Sequence, residues 1–227
     1  MSKLGLIALL DKMISQSEII ERSGTKYVLK SFTGEKSSFK WFPLSTFLGF
    51  VYPFTYNPTE RLERELAFFS KEWGFFKTPK IVEVDKENHK ILREYVDGRI
   101  LDTDIDANKL GKVLGEIHKE GWALGDVKLT NFLISSNDLV YVIDAEQAVS
   151  GAGTQHMAWD LYLVLLIASY TYIKSPTKFE EFLENFLFSH DSVCDCEKIY
   201  EGFNTPKLQS LLILLPPSHL LKLAKVL

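Results

Sequence analysis

Asp126, Lys128, Asn131 and Asp144 are the residues of this chain whose types and spacing could act together on a phosphoryl group. They stand in the order Asp-x-Lys-x-x-Asn, a strand, a turn, a strand, and a second Asp. The runs Phe132-Leu-Ile134 and Leu139-Val-Tyr-Val-Ile143 flank the turn Ser135-Ser-Asn-Asp138, which reads as a hairpin. A hairpin brings the chain back to its start, so Asn131 and Asp144 can sit side by side. An amide oxygen and a carboxylate are hard ligands suited to Mg²⁺ or Mn²⁺, ions that keep part of their shell for phosphates and water. Asp126, on the loop before Asn131, is placed to accept a proton from a hydroxyl. Lys128 is placed to offset charge on a migrating phosphoryl group. Blander readings stand beside these: Asp126 as a loop carboxylate or helix cap, Asn131 and Asp144 as turn residues.

The elements that must position these residues change character along the chain. Residues 14–22 and 26–32 read as two strands around Ser23-Gly24-Thr25. Residues 59–73 read as a helix, because Leu62, Leu66, Phe69 and Trp73 share one face. Thr59 is its expected N-cap, with Glu60 and Glu63 in the first turn where the dipole favours them. Residues 80–85 and 89–96 are two further strands. Leu110, Val113, Leu114 and Ile117 then mark a helix that stops at Gly121. From about 157 the chain is helical, including a face built by Phe179, Phe182, Leu183, Phe186 and Leu187, and Pro216-Pro217 interrupts the last stretch. A small strand-rich part with one helix thus precedes a helical part carrying an inserted hairpin, with a tether near 97–103. Ligands often bind in the cleft between two such parts.

The run Leu114-Gly-Glu-Ile-His-Lys-Glu-Gly-Trp-Ala-Leu-Gly-Asp-Val-Lys-Leu-Thr-Asn-Phe-Leu-Ile134, followed by Asp144, resembles the catalytic loop and metal-binding Asp of protein kinases. It is most similar to the small atypical kinases: the RIO group, the small kinase subunit of the KEOPS tRNA-modification complex, and the bacterial lipopolysaccharide Kdo/heptose kinases. Those have Gly-Asp where ordinary kinases have Arg-Asp. The resemblance implies an α+β, bilobal protein-kinase-like fold, with a small N-lobe over 1–97 and a shortened helical C-lobe over 98–227. It implies ATP and Mg²⁺ or Mn²⁺ as cofactors. Lys30 falls where the family's strand lysine meets the ATP phosphates, and Glu65 is the better candidate for its helix partner, ahead of Glu63. Arg93-Glu94-Tyr95-Val96-Asp97-Gly98 resembles the hinge, so backbone groups of Glu94 and Tyr95 are expected to bind adenine. Asp160 resembles the aspartate that anchors the catalytic loop, a structural role. His118 reads as a satisfied core histidine.

The implied activity is transfer of the ATP γ-phosphate to a hydroxyl, by an atypical serine/threonine protein kinase. Asp126 and Lys128 would be catalytic, Lys30, Glu65, Glu94 and Tyr95 would bind the cofactor, and Asn131 and Asp144 the metal. A small-molecule or sugar kinase and a nucleotide-binding pseudokinase acting as an interaction module are the alternatives. Departures from the family bear on this choice. No G-x-G-x-x-G is present, and Gln16 stands where the first loop's glycine is expected. The D-F-G triplet is Asp144-Ala145-Glu146. The space between Asp144 and Asp160 leaves no room for an activation segment, which points to constitutive competence. The Arg-rich tail of the KEOPS kinase is absent, which counts against membership of that complex.

Composition narrows the remaining classes. The 227 residues are 46% hydrophobic and 25% charged, ordinary globular values that exclude long-range disorder and collagen-like chains. Lys+Arg 26 against Asp+Glu 30 gives a formal net charge of -4, so nucleic acid is not indicated. Cys194 and Cys196 are too few for a structural zinc site and read as two reduced thiols. No apolar run is long enough to span a membrane, and a cytoplasmic protein is expected. The segment 41–56 holds seven aromatic residues and no charge. It reads as a loop folded back on the small lobe, or else as an exposed patch that docks a protein partner or touches a membrane.

Overall fold

The computed structural model describes residues 17–33, 48–195 and 197–225. The expectations at 14–16, at 41–47 and at Cys196 lie outside the described residues. The first sheet is antiparallel. It is built from β1 (Ser17–Arg22), β2 (Thr25–Ser31), β4 (Ile81–Asp85) and β5 (Lys90–Glu94), in the order β1-β2-β5-β4. Ser23 and Gly24 join β1 to β2 with φ of 52° and 78°, the two left-handed residues that a tight two-residue hairpin turn demands. Lys30 and Ile91 are register partners in the middle of this sheet, as are Val28 and Arg93.

Helix α1 (Pro58–Phe69) packs Leu62 and Leu66 against Phe32 and Ile91 on the sheet's side of the molecule. Its cap is Asn57, whose side chain accepts from the amides of Thr59 and Glu60 at 2.9 and 3.4 Å. The cap expected at Thr59 is therefore two residues too late; Pro58, with no amide to satisfy, takes the first helical position. The helix also ends before Trp73. That indole instead stacks on Phe76 at 4.8 Å and lies 4.7 Å from Phe68. A residue can share the helical period and still reach the core from the following loop.

The second sheet holds the expected hairpin, β8 (Phe132–Ile134) and β9 (Val140–Val142), with Phe132 opposite Val142. Two-residue strands extend it: β3 (Phe76–Lys77) runs parallel to β9, and β6 (Arg99–Ile100) pairs with β8. The expected tether is thus partly a strand. Strands this short carry no alternation for a sequence to display. A further ribbon pairs β7 (Trp122–Ala123) with β10 (Val149–Ser150).

The helical part consists of α2 (Thr103–Lys119), α3 (Thr154–Thr171), α4 (Pro176–Asp191), α5 (Glu197–Glu201), α6 (Pro206–Leu212) and α7 (Pro217–Leu223). α2 starts well before the apolar positions that announced it, on Asp102, whose side chain accepts from the Asp104 amide at 2.8 Å. α2 and α4 meet backbone to backbone. A Cβ on Gly111 would stand 2.3 Å from the Phe186 carbonyl, and one on Gly115 would stand 2.6 Å from that of His190. This is the α+β arrangement expected, a strand-rich N-terminal sheet ahead of a helical C-terminal part.

The described stretch of the aromatic segment, 48–56, departs from the reading as a loop folded back on the small lobe. Val51 and Tyr52 are buried in the large core, not folded on the small sheet. Tyr52 Oη lies 3.1 and 2.8 Å from the carbonyls of Ala123 and Gln147. Phe54 meets Trp159 edge to face at 5.8 Å. Of this described stretch, Phe50 and Tyr56 stay exposed, at 46% and 51%. Cys194 is buried and disulfide-bonded, contrary to the expected free thiol. Among the described residues no helix is long and apolar enough to cross a membrane.

Candidate functional site

Lys30 points inward from β2 and is buried. Its Nζ lies 2.6 Å from Glu65 Oε2, 3.0 Å from Asp144 Oδ1 and 3.3 Å from Glu146 Oε2. Three elements meet there: the first sheet, α1, and the turn that follows β9. Glu65, not Glu63, is the partner on α1; its Oε2 also accepts from the Ala145 amide at 3.2 Å. Arg61, one helical turn earlier on α1, donates from Nη2 to Glu146 Oε2 at 2.6 Å. The Phe32 ring lies under both cations, 4.9 Å from Lys30 Nζ and 5.7 Å from the Arg61 guanidinium carbon.

Burying this many charges is tolerable only because they alternate in sign. Burial pulls the Lys30 ammonium down, but the carboxylates of Asp144, Glu146 and Glu65 outweigh it and hold the pKa well above the ordinary lysine value. Burial pushes the Glu65 carboxyl up, while Lys30 and Arg93 pull it back. Arg93 on β5 is the third cation of the group. It donates from Nη1 to the Ile143 carbonyl and lies over the Phe69 ring, 5.7 Å from guanidinium carbon to centroid.

The loop bearing Asp126 is fixed from behind. Asp160 on α3 accepts from the Leu124 amide at 2.6 Å and the Gly125 amide at 2.7 Å, one bond on each carboxylate oxygen. The indole of Trp159 donates to the Gly125 carbonyl at 2.9 Å. Gly125 has φ +76°, and a Cβ there would fall 2.3 Å from the Tyr52 ring, so no other residue fits. His118 lies between Asp160 Oδ2 at 3.4 Å and His190 Nε2 at 2.9 Å, buried, as a core histidine. The anchoring geometry expected of Asp160 is therefore present.

Past Gly125, Asp126 Oδ2 pairs with Lys128 Nζ at 2.7 Å. Asn131 Nδ2 donates to the Asp126 carbonyl at 2.8 Å, which leaves the amide oxygen as the end that can meet a cation. The Ile143 amide donates to the Asn131 carbonyl at 2.9 Å and ties the end of β9 to the loop. A cavity of about 310 Å³ opens between the sheets. Asn131, Asp144, Glu94, Tyr95 and Val96 line it, together with the apolar side chains of Ile19, Val28, Leu133 and Ile143. Lys30, Glu65 and Asp144 thus meet in one charged cluster, Asn131, Asp144, Glu94 and Tyr95 line the cavity, and Asp126 and Lys128 pair on the adjoining loop.

Sequence reasoning missed Arg61, Arg93 and Glu146. Each carried a weak signal. Arg61 and Arg93 are cations inside otherwise apolar faces, and Glu146 is a charge two residues beyond Asp144. The oxygens of Glu65, Asp144 and Glu146 lie within 4.8 Å of one another, a hard donor set. These carboxylates are hard donors of the kind Mg²⁺ or Mn²⁺ takes, and the Lys30 ammonium stands among them.

No family model matches the chain. It is 30% identical over 152 residues to a probable bifunctional tRNA threonylcarbamoyladenosine biosynthesis protein of Methanococcus maripaludis (strain C5), covering 62% of this chain and 27% of that protein. A protein of the same description from Methanocaldococcus jannaschii is 29% identical over 142 residues, covering 60% and 25%. The chain therefore spans about a quarter of the length of these relatives. Among solved structures, the bifunctional kinase-methyltransferase WbdD gives a TM-score of 0.47 at 14% identity, covering 88% of this chain and 46% of that one. The sequence likeness is thus to proteins named for tRNA threonylcarbamoyladenosine biosynthesis. Those names are in keeping with the resemblance of the sequence to the small atypical kinases, the KEOPS type among them.

Proposed function

We propose that the chain is a phosphotransferase that moves the γ-phosphoryl group of a nucleoside triphosphate, ATP by resemblance, to a hydroxyl. The acceptor is a serine or threonine of a protein. The observation that carries the reading is the meeting of Lys30, Glu65 and Asp144 at one end of a cavity whose wall also holds Asn131. Residues 1–97 and 98–227 act as the two lobes. Backbone groups of Glu94 and Tyr95 hold the base, and Lys30, steadied by Glu65, holds the phosphates. Asn131 and Asp144 would hold the divalent cation, which neutralises phosphate charge when bound. Asp126 accepts the proton of the acceptor hydroxyl as its oxygen bonds to the γ-phosphorus. The bond from that phosphorus to the bridging oxygen breaks, and the nucleoside diphosphate leaves. Lys128 both orients Asp126 and offsets the charge on the transferring group. The likeness to proteins named for tRNA threonylcarbamoyladenosine biosynthesis supports a role in tRNA modification beside protein partners, in the cytoplasm.

The test is turnover of labelled ATP with Mg²⁺ or Mn²⁺ and a serine-bearing acceptor protein. Asp126→Ala should lower kcat by ~10²–10⁴ while nucleotide still binds. Equal turnover in the variant removes the assigned role. One observation favours the pseudokinase reading: Glu146 adds a third carboxylate to Lys30, which competes with phosphate for the ammonium. Nucleotide binding without any transfer, in the wild type and in Asp126→Ala alike, would select it.

A further inference from the structure

Among the described residues lining the cavity, Arg93 is a cation to which neither lobe's expected chemistry gives a role. It lines the cavity beside Glu94, Tyr95 and Val96 and is 5% exposed. Its register partner Val28 is another lining residue, and partners across a ladder project to the same face of a sheet. Lys30, two residues from Val28, faces that way as well, so Arg93 lies between the backbone end of the cavity and the charged cluster. Its field acts on both Lys30 and Glu65. One nitrogen, Nη1, serves the Ile143 carbonyl, and Nε is buried with no hydrogen-bond partner. A guanidinium has five donors and no acceptor. A group of that kind, held by the Ile143 carbonyl and the Phe69 ring, cannot accept a hydrogen bond from whatever enters the cavity.

We infer that Arg93 selects the base: the cavity takes a purine with an acceptor at position 6, as in guanosine or inosine triphosphate, in preference to ATP. This rests on the nucleotide-binding reading above and changes only which base is held. A flat base between Ile19, Val28, Leu133 and Ile143, with its edge toward Glu94–Val96, brings that edge against Arg93. Adenine turns a 6-amino donor to that side, so two donors face each other. Guanine and hypoxanthine offer the 6-oxo oxygen and N7, the pair of acceptors that an arginine fork fits bidentately. The 2-amino group of guanine plays no part in this contact, so inosine triphosphate should behave as guanosine triphosphate does.

The test is calorimetric binding of ATP, GTP and ITP, each with Mg²⁺, to the full chain and to two variants. In the wild type GTP and ITP should both bind more tightly than ATP. Arg93→Met removes every donor at similar length, and Arg93→Lys keeps the charge but not the planar fork. Each should shift the GTP-to-ATP affinity ratio toward ATP by about tenfold or more. Should Arg93→Met fail to fold, Arg93→Lys still decides the matter, since it preserves the charge balance around Glu65. A wild-type preference for ATP, or a ratio unchanged in the folded variants, would overturn the inference and leave Arg93 as a counter-charge alone; nucleotide binding itself would survive. Tight GTP with weak ITP would also overturn it, because the 2-amino group and not position 6 would then be read. If none of the three nucleotides binds, the broader nucleotide-binding reading falls, and this inference with it.

Discussion

Lys30 is held by three carboxylates, and that group of charges sets the sensitivity of the whole site. Arg61 and Glu146 form a buried pair at 2.6 Å inside it. Removing one member takes from the other a charged partner that water cannot replace there. Arg61→Met or Glu146→Leu alone should destabilise the fold by about 3–5 kcal/mol, whereas the double variant should recover most of that loss. Urea midpoints of the two single variants and the double variant check it. His118 gives the molecule a pH dependence. Burial pushes its imidazole below the ordinary value of 6.5, with Asp160 pulling the other way and His190 adding to the fall. The unfolded chain therefore binds more protons in the window between the ordinary value of 6.5 and the lower folded value. This contribution to stability is complete above that window and drains away as the pH falls through it. His118→Gln should flatten the stability profile between neutral pH and the mildly acidic range, measured by chemical denaturation at stepped pH. The role of His118 as a core histidine was legible in the sequence, because it ends an apolar helix face. Its partner His190 was not, since only the packing of α2 on α4 brings the two together.

Helices α2 and α4 approach closely enough that a glycine at 111 is a steric requirement. Its Cβ would strike the backbone carbonyl of Phe186, which cannot rotate away as a side chain could. Gly111→Ala should lower stability by about 1–3 kcal/mol despite the better helix propensity of alanine. Thermal unfolding of the single variant checks it. Gly121→Ala is the useful contrast: φ is +74° there and no atom lies within 4 Å of the added Cβ, so only backbone strain opposes it. The long elements, α1, the β8–β9 hairpin and the first sheet, could be read from periodicity and turn residues. The helix cap at Asn57 could not be separated from Thr59, because both residue types cap helices; Pro58 at the first helical position was the signal to weigh. From the sequence, the segment 41–56 reads as a loop folded back on the small lobe or as an exposed patch, and only 48–56 of it is described. Its place against Gly125, Gln147 and Trp159 follows from one buried tyrosine between two carbonyls, which no local pattern announces.

Across the whole molecule, the cavity lies where three chain segments separated by scores of residues converge. Any ligand that binds only this folded arrangement must stabilise it. A nucleoside triphosphate with Mg²⁺ at about a hundred times its Kd should add about 2.7 kcal/mol and raise the Tm. Asp144→Ala should lose the Mg²⁺-dependent part of that shift, and an unchanged shift with Mg²⁺ would count against Asp144 as a metal ligand. By itself the sequence determined the kinds of chemistry present. An acid, an amide and a second acid were spaced around a hairpin, a lysine stood in a strand and a glutamate on a helix, and these are local facts of residue type and period. Only the tertiary structure decided that Glu65 and not Glu63 meets Lys30, that Arg61 and Glu146 join the same cluster, and that Arg93 faces the cavity. Those outcomes depend on where α1 packs and how β9 ends. Packing of that kind is fixed by the mutual burial of distant surfaces, and a charge is admitted to the interior only where another of opposite sign is already waiting.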